Sequence, residues 1–317
     1  MDRNLALEFV RATESAAIAA SSWIGKGNKK KADKAAVDEM RARLNQMNFC
    51  AKVIIGEGSK DEAPELYSGE KLGLCQSPIF DIAVDPLECT DSVAWGRPNA
   101  TSVIALAEKS SMFSAPDMYM QKIAVGPEAK GKINLDWPVK KNLKSLSEAL
   151  KKPIGDLMVI VLDRPRHEEL IKEIRNAGAR VTLITDGDVA GAIATALPDS
   201  GIDMLLGIGA SAEAVLAASA LKCLDGEIQG RLWPKNKEEE KIVKKWGIKK
   251  IDKLLKMNDF IKGDQVSFVA TGIIDGPMLR GVRYKSKNKV ITHSVVMRNT
   301  SKTIRFIEAE HRLQNHK

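Results

Sequence analysis

Short apolar runs alternate with amphipathic stretches from residue 157 onward, and this alternation constrains the fold more than any other feature of the sequence. Each apolar run has the length of a strand, and each amphipathic stretch repeats its apolar residues at helical spacing. Such alternation predicts βαβ units on a largely parallel sheet. The segments are LMVIVLD, HEELIKEIRNAGA, RVTLITD, DVAGAIATAL, DMLLGIG and SAEAVLAASALKCLDG.

Polar loops follow the carboxyl ends of three of these predicted strands. They are DRPR at 163–166, DGD at 186–188 and GIGASAE at 207–213. Open α/β sheets bind ligands outside the carboxyl ends of their strands. We therefore expect these loops to cluster at one sheet edge and to bind a ligand there.

The remaining periodic segments suggest two lobes. A chain of 317 residues, 44% of them hydrophobic, can bury two cores. NLALEFVRATESAAIAASSWIG predicts a helix that ends at Gly25, and KKADKAAVDEMRARLNQM predicts a second helix. Because no linker-like or repeated segment divides the chain, we predict two closely packed lobes, 1–130 and 131–317. Later strands are predicted at QVSFVATGI, ITHSVVMR and TIRFIEAE.

Composition disfavours several classes of protein. No apolar run approaches the roughly 20 residues of a membrane-spanning helix, and the N-terminus lacks the apolar block of a signal peptide. These features predict a cytoplasmic protein without membrane contact. The four cysteines lack CxxC spacing and are predicted to be free thiols. The net charge of +8 lies in lysine-rich segments without regular aromatic interleaving, which disfavours nucleic-acid binding but would attract a phosphorylated ligand.

An acidic residue shares the apolar face of the second predicted helix. Asp33 falls on one stripe with Val37, Met40 and Leu44. Burying an ionised carboxylate is costly unless it is paired or binds a metal. A salt bridge to a nearby lysine and a metal site both remain open for this residue.

Two predicted strands place further acids where they end. KVII is followed by Gly56 and Glu57, and DIAV is followed by Asp85, Pro86 and Glu88. Carboxylates that converge without basic partners repel one another, whereas divalent cations such as Mg²⁺ or Mn²⁺ neutralise them. The spacing alone is equally compatible with acids that serve as helix caps and turn residues.

Motifs along the whole chain resemble one enzyme family. They are GEGSKDEAP, DIAVDPLECT, GRPNA, APDMYMQKIAVGP, LDRPRH, TDGDVA and KGDQVSFVATGI with THSVVMR. Together they resemble class II fructose-1,6-bisphosphatases, members of the lithium-sensitive, metal-dependent sugar phosphatase superfamily, from about position 1 to 310. The resemblance implies a mixed α/β fold, a layered α-β-α-β-α sandwich of the inositol monophosphatase type.

The resemblance also implies an activity and its requirements. The reaction is hydrolysis of the 1-phosphate of fructose 1,6-bisphosphate to fructose 6-phosphate and phosphate, a step of gluconeogenesis. It implies Mn²⁺ or Mg²⁺, with two or more ions per active site, and a homodimer or homotetramer that takes a small phosphorylated sugar as substrate. The metal ligands that correspond to the family pattern are Asp33, Glu57, Asp85, Glu88 and Glu213.

Other residues take their expected roles from the same pattern. Lys29, Asp61 and Thr90 would act at the reacting phosphate, where Asp61 and Thr90 orient and deprotonate the attacking water. Arginines suit the phosphate that is retained, and paired aspartates suit sugar hydroxyls. The substrate contacts correspond to Glu88, Cys89, Thr90, Tyr119, Arg164, Pro165, Arg166, Asp186, Gly187, Asp188 and Ala210.

Two positions depart from the family pattern by the loss of glycine. Cys89 follows the predicted ligand Glu88, and Ala210 stands in GASAEA where the family has a GGAPEG-like turn. Glycine permits positive φ and close backbone approach, so a side chain there would displace its neighbours and lower activity or change the substrate. The alternative is that both positions have ordinary φ and room for a side chain.

Three functions remain open. The first is a fructose-1,6-bisphosphatase, and the second is a phosphatase of another sugar phosphate, such as sedoheptulose 1,7-bisphosphate. The third is a catalytically weak family member that binds a phosphorylated metabolite. Relative rates on a panel of sugar phosphates separate the first two, and metal-dependent binding without turnover would indicate the third.

Overall fold

The computed structural model describes residues 5–57, 65–74, 79–114 and 116–313. The helices are α1 (Leu5–Ser21), α2 (Lys29–Asn45), α3 (Thr90–Trp95), α4 (Val139–Leu150), α5 (Glu168–Asn176), α6 (Val189–Ala194), α7 (Ser211–Cys223), α8 (Lys237–Lys245) and α9 (Met257–Phe260). The strands are β1 (Ala51–Ile55), β2 (Lys71–Leu72), β3 (Phe80–Glu88), β4 (Ala100–Glu108), β5 (Tyr119–Val125), β6 (Met158–Leu162), β7 (Arg180–Ile184), β8 (Met204–Ala210), β9 (Glu227–Leu232), β10 (Ser267–Ile274), β11 (Arg283–Ser286), β12 (Lys289–Arg298) and β13 (Thr303–Arg312).

The first of two compact units contains residues 1–112 and 263–317. Its mixed sheet has the order β11-β12-β10-β4-β3-β1-β2, and β13 pairs with β12. The two N-terminal helices, α1 and α2, pack against strands of this sheet. Their apolar stripes supply core residues such as Phe9 and Met40, which join Ile82 of β3 in one buried cluster.

The division into units differs from the single boundary expected at residue 130. The chain leaves the first unit after residue 112 and returns at 263, because β10 pairs with β4 on one side and with β12 on the other. β10 is almost completely buried, and a buried strand needs hydrogen-bonded neighbours along both edges. Sequence periodicity predicted this strand without revealing its neighbours.

The second unit, residues 113–262, contains a sheet of order β7-β6-β8-β5-β9. The predicted strand-and-helix alternation is confirmed from β6 to α7, and β6 is parallel to both β7 and β8. β5, however, is antiparallel to β8 and to β9. The prediction of a largely parallel sheet is therefore wrong for these two strands, which lie outside the crossover units that enforce parallel pairing.

Both units combine helices with a mixed sheet, and the α/β class expected from the sequence is confirmed. No helix in the described ranges is long and apolar enough to cross a membrane. Cys89 and Cys223 are buried and form no disulfide bond, but Cys50 forms one. The prediction of free thiols is wrong for Cys50, because spacing along the chain does not report which thiols a fold brings together.

Candidate active site

Parallel pairing of β1 with β3 brings two acidic strand ends to the same edge of the first sheet. The register of this pair places Glu57, two residues beyond β1, close to Asp85, near the end of β3. Gly56 is required at this point, because a Cβ there would collide with the backbone carbonyl oxygen of Leu66. The acidic sheet edge predicted from the KVII and DIAV segments is therefore present.

Asp33 approaches this edge from α2, which packs against β3. Burial, and then the negative charges of Asp85 and Asp33, raise the pKa of Glu57 to about 9. Burial also raises the pKa of Asp33. No basic group offsets either shift, so within the described residues the salt bridge considered for Asp33 is not formed.

These three acids suit a divalent cation by their chemistry. All their donor atoms are carboxylate oxygens, the ligands that Mg²⁺ and Mn²⁺ prefer. Yet in the part of the chain that the structure describes, no three His, Cys, Asp or Glu side chains are gathered closely enough to hold a metal ion. The acids are close enough to repel one another without being arranged as a finished ligand cage.

The junction between β3 and α3 carries Glu88, Cys89 and Thr90. Glu88 is buried, and its Oε2 accepts a hydrogen bond from Cys89 Sγ at 2.6 Å. Cys89 has φ 73° and ψ 55°, a left-handed conformation that costs a residue with a side chain about 1–2 kcal/mol. The alternative of an ordinary φ is therefore wrong for Cys89, and the glycine of the family pattern has a backbone reason.

Local contacts hold the other predicted groups of this unit. Thr90 Oγ1 donates to the carbonyl oxygen of Leu87 at 3.2 Å, and the Leu87 N–H donates to Asp85 Oδ1 at 3.1 Å. Asp85 therefore also stabilises the local backbone, as the interpretation of these acids as turn residues predicted. Lys29, at the start of α2, forms an ion pair with Asp91 in the first turn of α3. The predicted catalytic residue Asp61 lies outside the described residues.

In the second unit, the DRPR and DGD loops follow β6 and β7, as predicted, but the third predicted loop, GIGASAE, spans the end of β8 and the first turn of α7. Arg164 donates from Nη1 to the carbonyl oxygen of Thr185 at 2.5 Å and lies 3.5 Å from Asp186. Arg166 donates from Nε and Nη2 to the carbonyl oxygen of Ile208 at 3.2 and 2.8 Å. Arg164 therefore links the DRPR loop to the DGD loop, and Arg166 links the DRPR loop to the GIGASAE segment.

Tyr119, the first residue of β5, carries two cations on its ring. The guanidinium carbon of Arg166 lies 4.5 Å from the ring centre, and Lys235 Nζ lies 4.0 Å from it. Cations over an aromatic ring are held by its quadrupole. The N–H donors of Arg166 and Lys235 that make no hydrogen bond within the protein are available to an anion. Lys235 was not singled out from the sequence.

The two aspartates of the DGD loop do not form a pair. Gly187, with φ 50°, separates them, so Asp186 is half-buried beside Arg164 while Asp188 is buried. Pro165 is exposed and opens a short 3₁₀ turn. The two aspartates therefore differ in burial and in the side chains that they contact.

Asp188 and Glu213 converge instead on a buried lysine that the sequence analysis did not identify. Lys122 Nζ lies 2.6 Å from Asp188 Oδ1 and 3.2 Å from Glu213 Oε2. Burial acts to lower the pKa of Lys122, but the two carboxylates outweigh it and raise the pKa. Burial and the charge of Glu213 raise the pKa of Asp188 to about 7. The pKa of Glu213 is lowered despite its burial, chiefly by Lys122.

Ala210 lies beside this cluster in an ordinary conformation. Its φ of −72° and ψ of 150° are extended, so the alternative of ordinary φ is confirmed at this position. The Ala210 N–H donates to Glu213 Oε2 at 3.0 Å. Glycine is needed one residue earlier, because a Cβ at Gly209 would collide with Asp188, Lys122 and Glu213.

A buried histidine supports the same loops and was also missed. His167 Nδ1 lies 2.7 Å from the carbonyl oxygen of Leu162, and its Nε2 accepts the Ile208 N–H at 2.8 Å. Burial lowers the pKa of His167, which favours the neutral ring that these two contacts require. No local sequence pattern distinguishes Lys122 or His167 from an ordinary exposed polar residue.

The sequence matches a family model over residues 3–311, described as bacterial fructose-1,6-bisphosphatase, glpX-encoded. A D-fructose 1,6-bisphosphatase class 2/sedoheptulose 1,7-bisphosphatase of Synechococcus sp. (strain JA-2-3B'a(2-13)) is 44% identical over 98% of this chain and 96% of that protein. A fructose-1,6-bisphosphatase class 2 of Haemophilus influenzae is also 44% identical, over 99% of this chain and 98% of that protein.

Solved structures are more distant. Inositol monophosphatase from Anabaena (Nostoc) sp. PCC 7120 has 12% identity and a TM-score of 0.33, over 61% of this chain and 70% of that chain. This level of structural similarity carries no weight here, and the sequence relatives decide the family. The chain therefore belongs to the family of bacterial, glpX-encoded fructose-1,6-bisphosphatases.

Proposed function

We propose that this protein hydrolyses the 1-phosphate of fructose 1,6-bisphosphate and depends on Mn²⁺ or Mg²⁺. The observation that carries the proposal is the acidic edge of the first sheet, where burial and then the charges of Asp85 and Asp33 raise the pKa of Glu57 to about 9. The family and the names of its relatives supply the substrate class. Converging carboxylates in a member of this family suit a cation-dependent phosphatase.

The first unit supplies the groups proposed for the reaction. A bound divalent cation would neutralise phosphate charge and lower the pKa of the attacking water. Thr90 orients that water and Asp61 accepts its proton. Lys29, anchored by Asp91, lies at the charged phosphate. The residues of this unit proposed to hold cations, two or more in number, are Asp33, Glu57, Asp85 and Glu88. Glu213, in the second unit, is a further proposed cation ligand.

The second unit supplies the proposed sugar-phosphate contacts. Arg166, stacked on Tyr119, donates charge-assisted hydrogen bonds to the phosphate that is retained, and Arg164 supports it. Asp186 and Asp188 accept hydrogen bonds from sugar hydroxyls. The remaining contacts carried over from the family pattern are those of Glu88, Cys89, Thr90, Pro165, Gly187 and Ala210.

The direct test is phosphate release from fructose 1,6-bisphosphate with Mn²⁺, with Mg²⁺ and with a chelator. We expect release with either cation and none in the chelator. Binding of the sugar phosphate without release of phosphate would contradict the proposed activity and indicate a metabolite-binding protein. Unchanged release in the chelator would contradict the cation requirement.

A second substrate has a specific observation in its favour. The name of the Synechococcus relative includes sedoheptulose 1,7-bisphosphatase. Parallel rates on the two bisphosphates and on fructose 1-phosphate decide between them. We further propose that the protein acts in gluconeogenesis in the cytoplasm as a homodimer or homotetramer, which fractionation and light scattering would test.

A further inference from the structure

Lys122 has no part in the proposed chemistry and yet is almost completely buried. Only 1% of its surface is exposed. An ammonium group removed from water loses several kcal/mol of solvation unless close partners replace it. Lys122 Nζ has three acceptors, which are Asp188 at 2.6 Å, the Ala210 carbonyl oxygen at 3.1 Å and Glu213 at 3.2 Å. Since an ammonium group carries three N–H donors, these contacts can use all of them.

The three partners come from separate segments of the second unit. Asp188 immediately precedes α6, Ala210 ends β8, and Glu213 lies in the first turn of α7. Lys122 reaches them from β5, the neighbour of β8. One nitrogen atom therefore fixes the loop after β7 relative to the junction of β8 with α7.

Asp188 shows that this arrangement overrides local preference. It occupies the N-cap position of α6, where an aspartate side chain ordinarily accepts a hydrogen bond from the helix backbone. Its side chain makes no such capping bond and lies against Lys122 instead, with Oδ2 at 2.5 Å from Nζ. The absence of a side chain at Gly209 keeps the necessary space open.

We propose that Lys122 is a positioning residue, whose ammonium group holds the carboxylates of Asp188 and Glu213 at the places from which they act on the sugar phosphate and the cation. Lys122 itself touches neither. The inference rests on the proposed function. Its support is that two acids assigned to the site, from different segments of the chain, converge on this one side chain.

A second lysine of the same unit provides a matched control. Lys152 Nζ contacts both carboxylate oxygens of Asp203, at 3.0 and 2.7 Å. Asp203 directly precedes β8, whereas Ala210 ends it, so this pair lies at the opposite end of the strand. Lys152→Met removes a lysine–aspartate pair without touching the candidate site.

The experiment compares Lys122→Met, Lys122→Arg and Lys152→Met with the parent protein. Thermal midpoints, kcat and KM for fructose 1,6-bisphosphate, and calorimetric affinity for fructose 6-phosphate in Mn²⁺ are measured on each. Lys122→Arg preserves the positive charge beside Asp188 and Glu213, but a planar guanidinium group cannot reproduce the three-way contact of an ammonium. It therefore tests the positioning even where Lys122→Met does not fold.

We expect both substitutions of Lys122 to raise KM and weaken fructose 6-phosphate binding by about 10–100-fold, the usual range for residues that orient ligating groups. Lys152→Met should lower the thermal midpoint and leave KM within about twofold. A folded Lys122→Arg with parental KM and affinity would overturn the proposal, since a purely structural ion pair predicts that result.

The parent protein separates this inference from the proposed function. A parent that binds fructose 6-phosphate without releasing phosphate, with variants that bind it more weakly, would retain the role of Lys122 and overturn the reaction. An active parent with unaffected variants would overturn only the role of Lys122. A parent that neither binds nor reacts would overturn both.

Discussion

The two groups of acids in this protein differ in how their charge is balanced. Burial raises the pKa of Asp33, and burial together with the charges of Asp85 and Asp33 raises the pKa of Glu57 to about 9, while no basic group lowers either value. Asp188 and Glu213 share the buried ammonium of Lys122. An acidic group balanced from within is stable without a ligand, whereas carboxylates that repel one another are stabilised when a cation binds. We therefore expect cation binding mainly in the first unit and substrate positioning in the second.

The largest effect is expected at the acidic edge of the first sheet. Asp85→Asn and Glu57→Gln should each lower kcat by more than the roughly 10–100-fold typical of residues that only support a metal ligand. The thermal midpoint of the metal-free protein should fall little, because Asp85→Asn removes a negative charge and Glu57→Gln replaces a carboxyl group that is protonated at neutral pH. Steady-state kinetics in Mn²⁺ and thermal unfolding in chelator measure the two quantities.

The comparison fails if these acids act as ordinary structural residues. In that event Glu57→Gln or Asp85→Asn would retain parental turnover while folded, or would unfold at a much lower temperature. Asp85→Asn is the more prone to lower the unfolding temperature, because Asp85 Oδ1 also accepts a hydrogen bond from the Leu87 N–H. Glu57→Gln is therefore the cleaner variant.

A smaller effect is expected where the second unit recognises the substrate. Arg166→Ala should raise KM for fructose 1,6-bisphosphate by roughly 10–100-fold, since a charge-assisted hydrogen bond contributes about 1.5–3 kcal/mol. The increase should be smaller for fructose 1-phosphate, which lacks the retained phosphate. kcat should change less than KM, in contrast to the acids of the first unit.

Arg180→Ala is the matched control for Arg166→Ala. Arg180 also donates to a backbone carbonyl, that of Asp156 at 2.6 Å. It lies at the start of β7, whereas Arg166 follows the carboxyl end of β6. Its KM should remain parental. Equal increases on the bisphosphate and the monophosphate would remove Arg166 from the retained phosphate.

The smallest effect concerns the two positions that lack the family's glycine. Cys89→Gly removes left-handed strain of about 1–2 kcal/mol beside Glu88, and its turnover should equal or modestly exceed that of the parent. Ala210→Gly should bring no gain, because Ala210 already has an ordinary φ. Cys89→Ala keeps the strain and removes only the thiol contact to Glu88.

Turnover and Mn²⁺ affinity of these three variants decide the matter. A loss of more than about tenfold in Cys89→Gly, roughly 1.4 kcal/mol of barrier, would show that the thiol contributes to the site. Equal gains in Cys89→Gly and Ala210→Gly would show that backbone strain at Cys89 is not the cause.

Local patterns in the sequence were sufficient for much of the first unit. The helical stripe of α2 placed Asp33 on a buried face, and the ends of β1 and β3 placed Glu57 and Asp85 at one edge. Helical and strand periodicities are local properties, so neighbouring residues reveal them. The conformational cost at Cys89 was foreseeable as one alternative, because a glycine is expected there.

Contacts between distant residues could not be predicted in the same way. A lysine within a strand ordinarily indicates an exposed face, and Lys122 is buried only because Asp188 and Glu213, 66 and 91 residues later, meet it. The return of β10 to the first sheet depends likewise on its pairing with β4. Neither the contacts of Lys122 nor the pairing of β10 is indicated by the residues that are nearby in the sequence.

The central claim is that the acids at the edge of the first sheet bind the catalytic cation, and its most direct test is calorimetric titration of Mn²⁺ at pH 7.5 in buffers of different ionisation enthalpy. With its pKa raised to about 9, Glu57 holds a proton in the metal-free protein, and a bound cation must displace it. We expect the parent to release about one proton more per molecule than Glu57→Gln. Saturable Mn²⁺ binding with equal proton release from both proteins would contradict the claim.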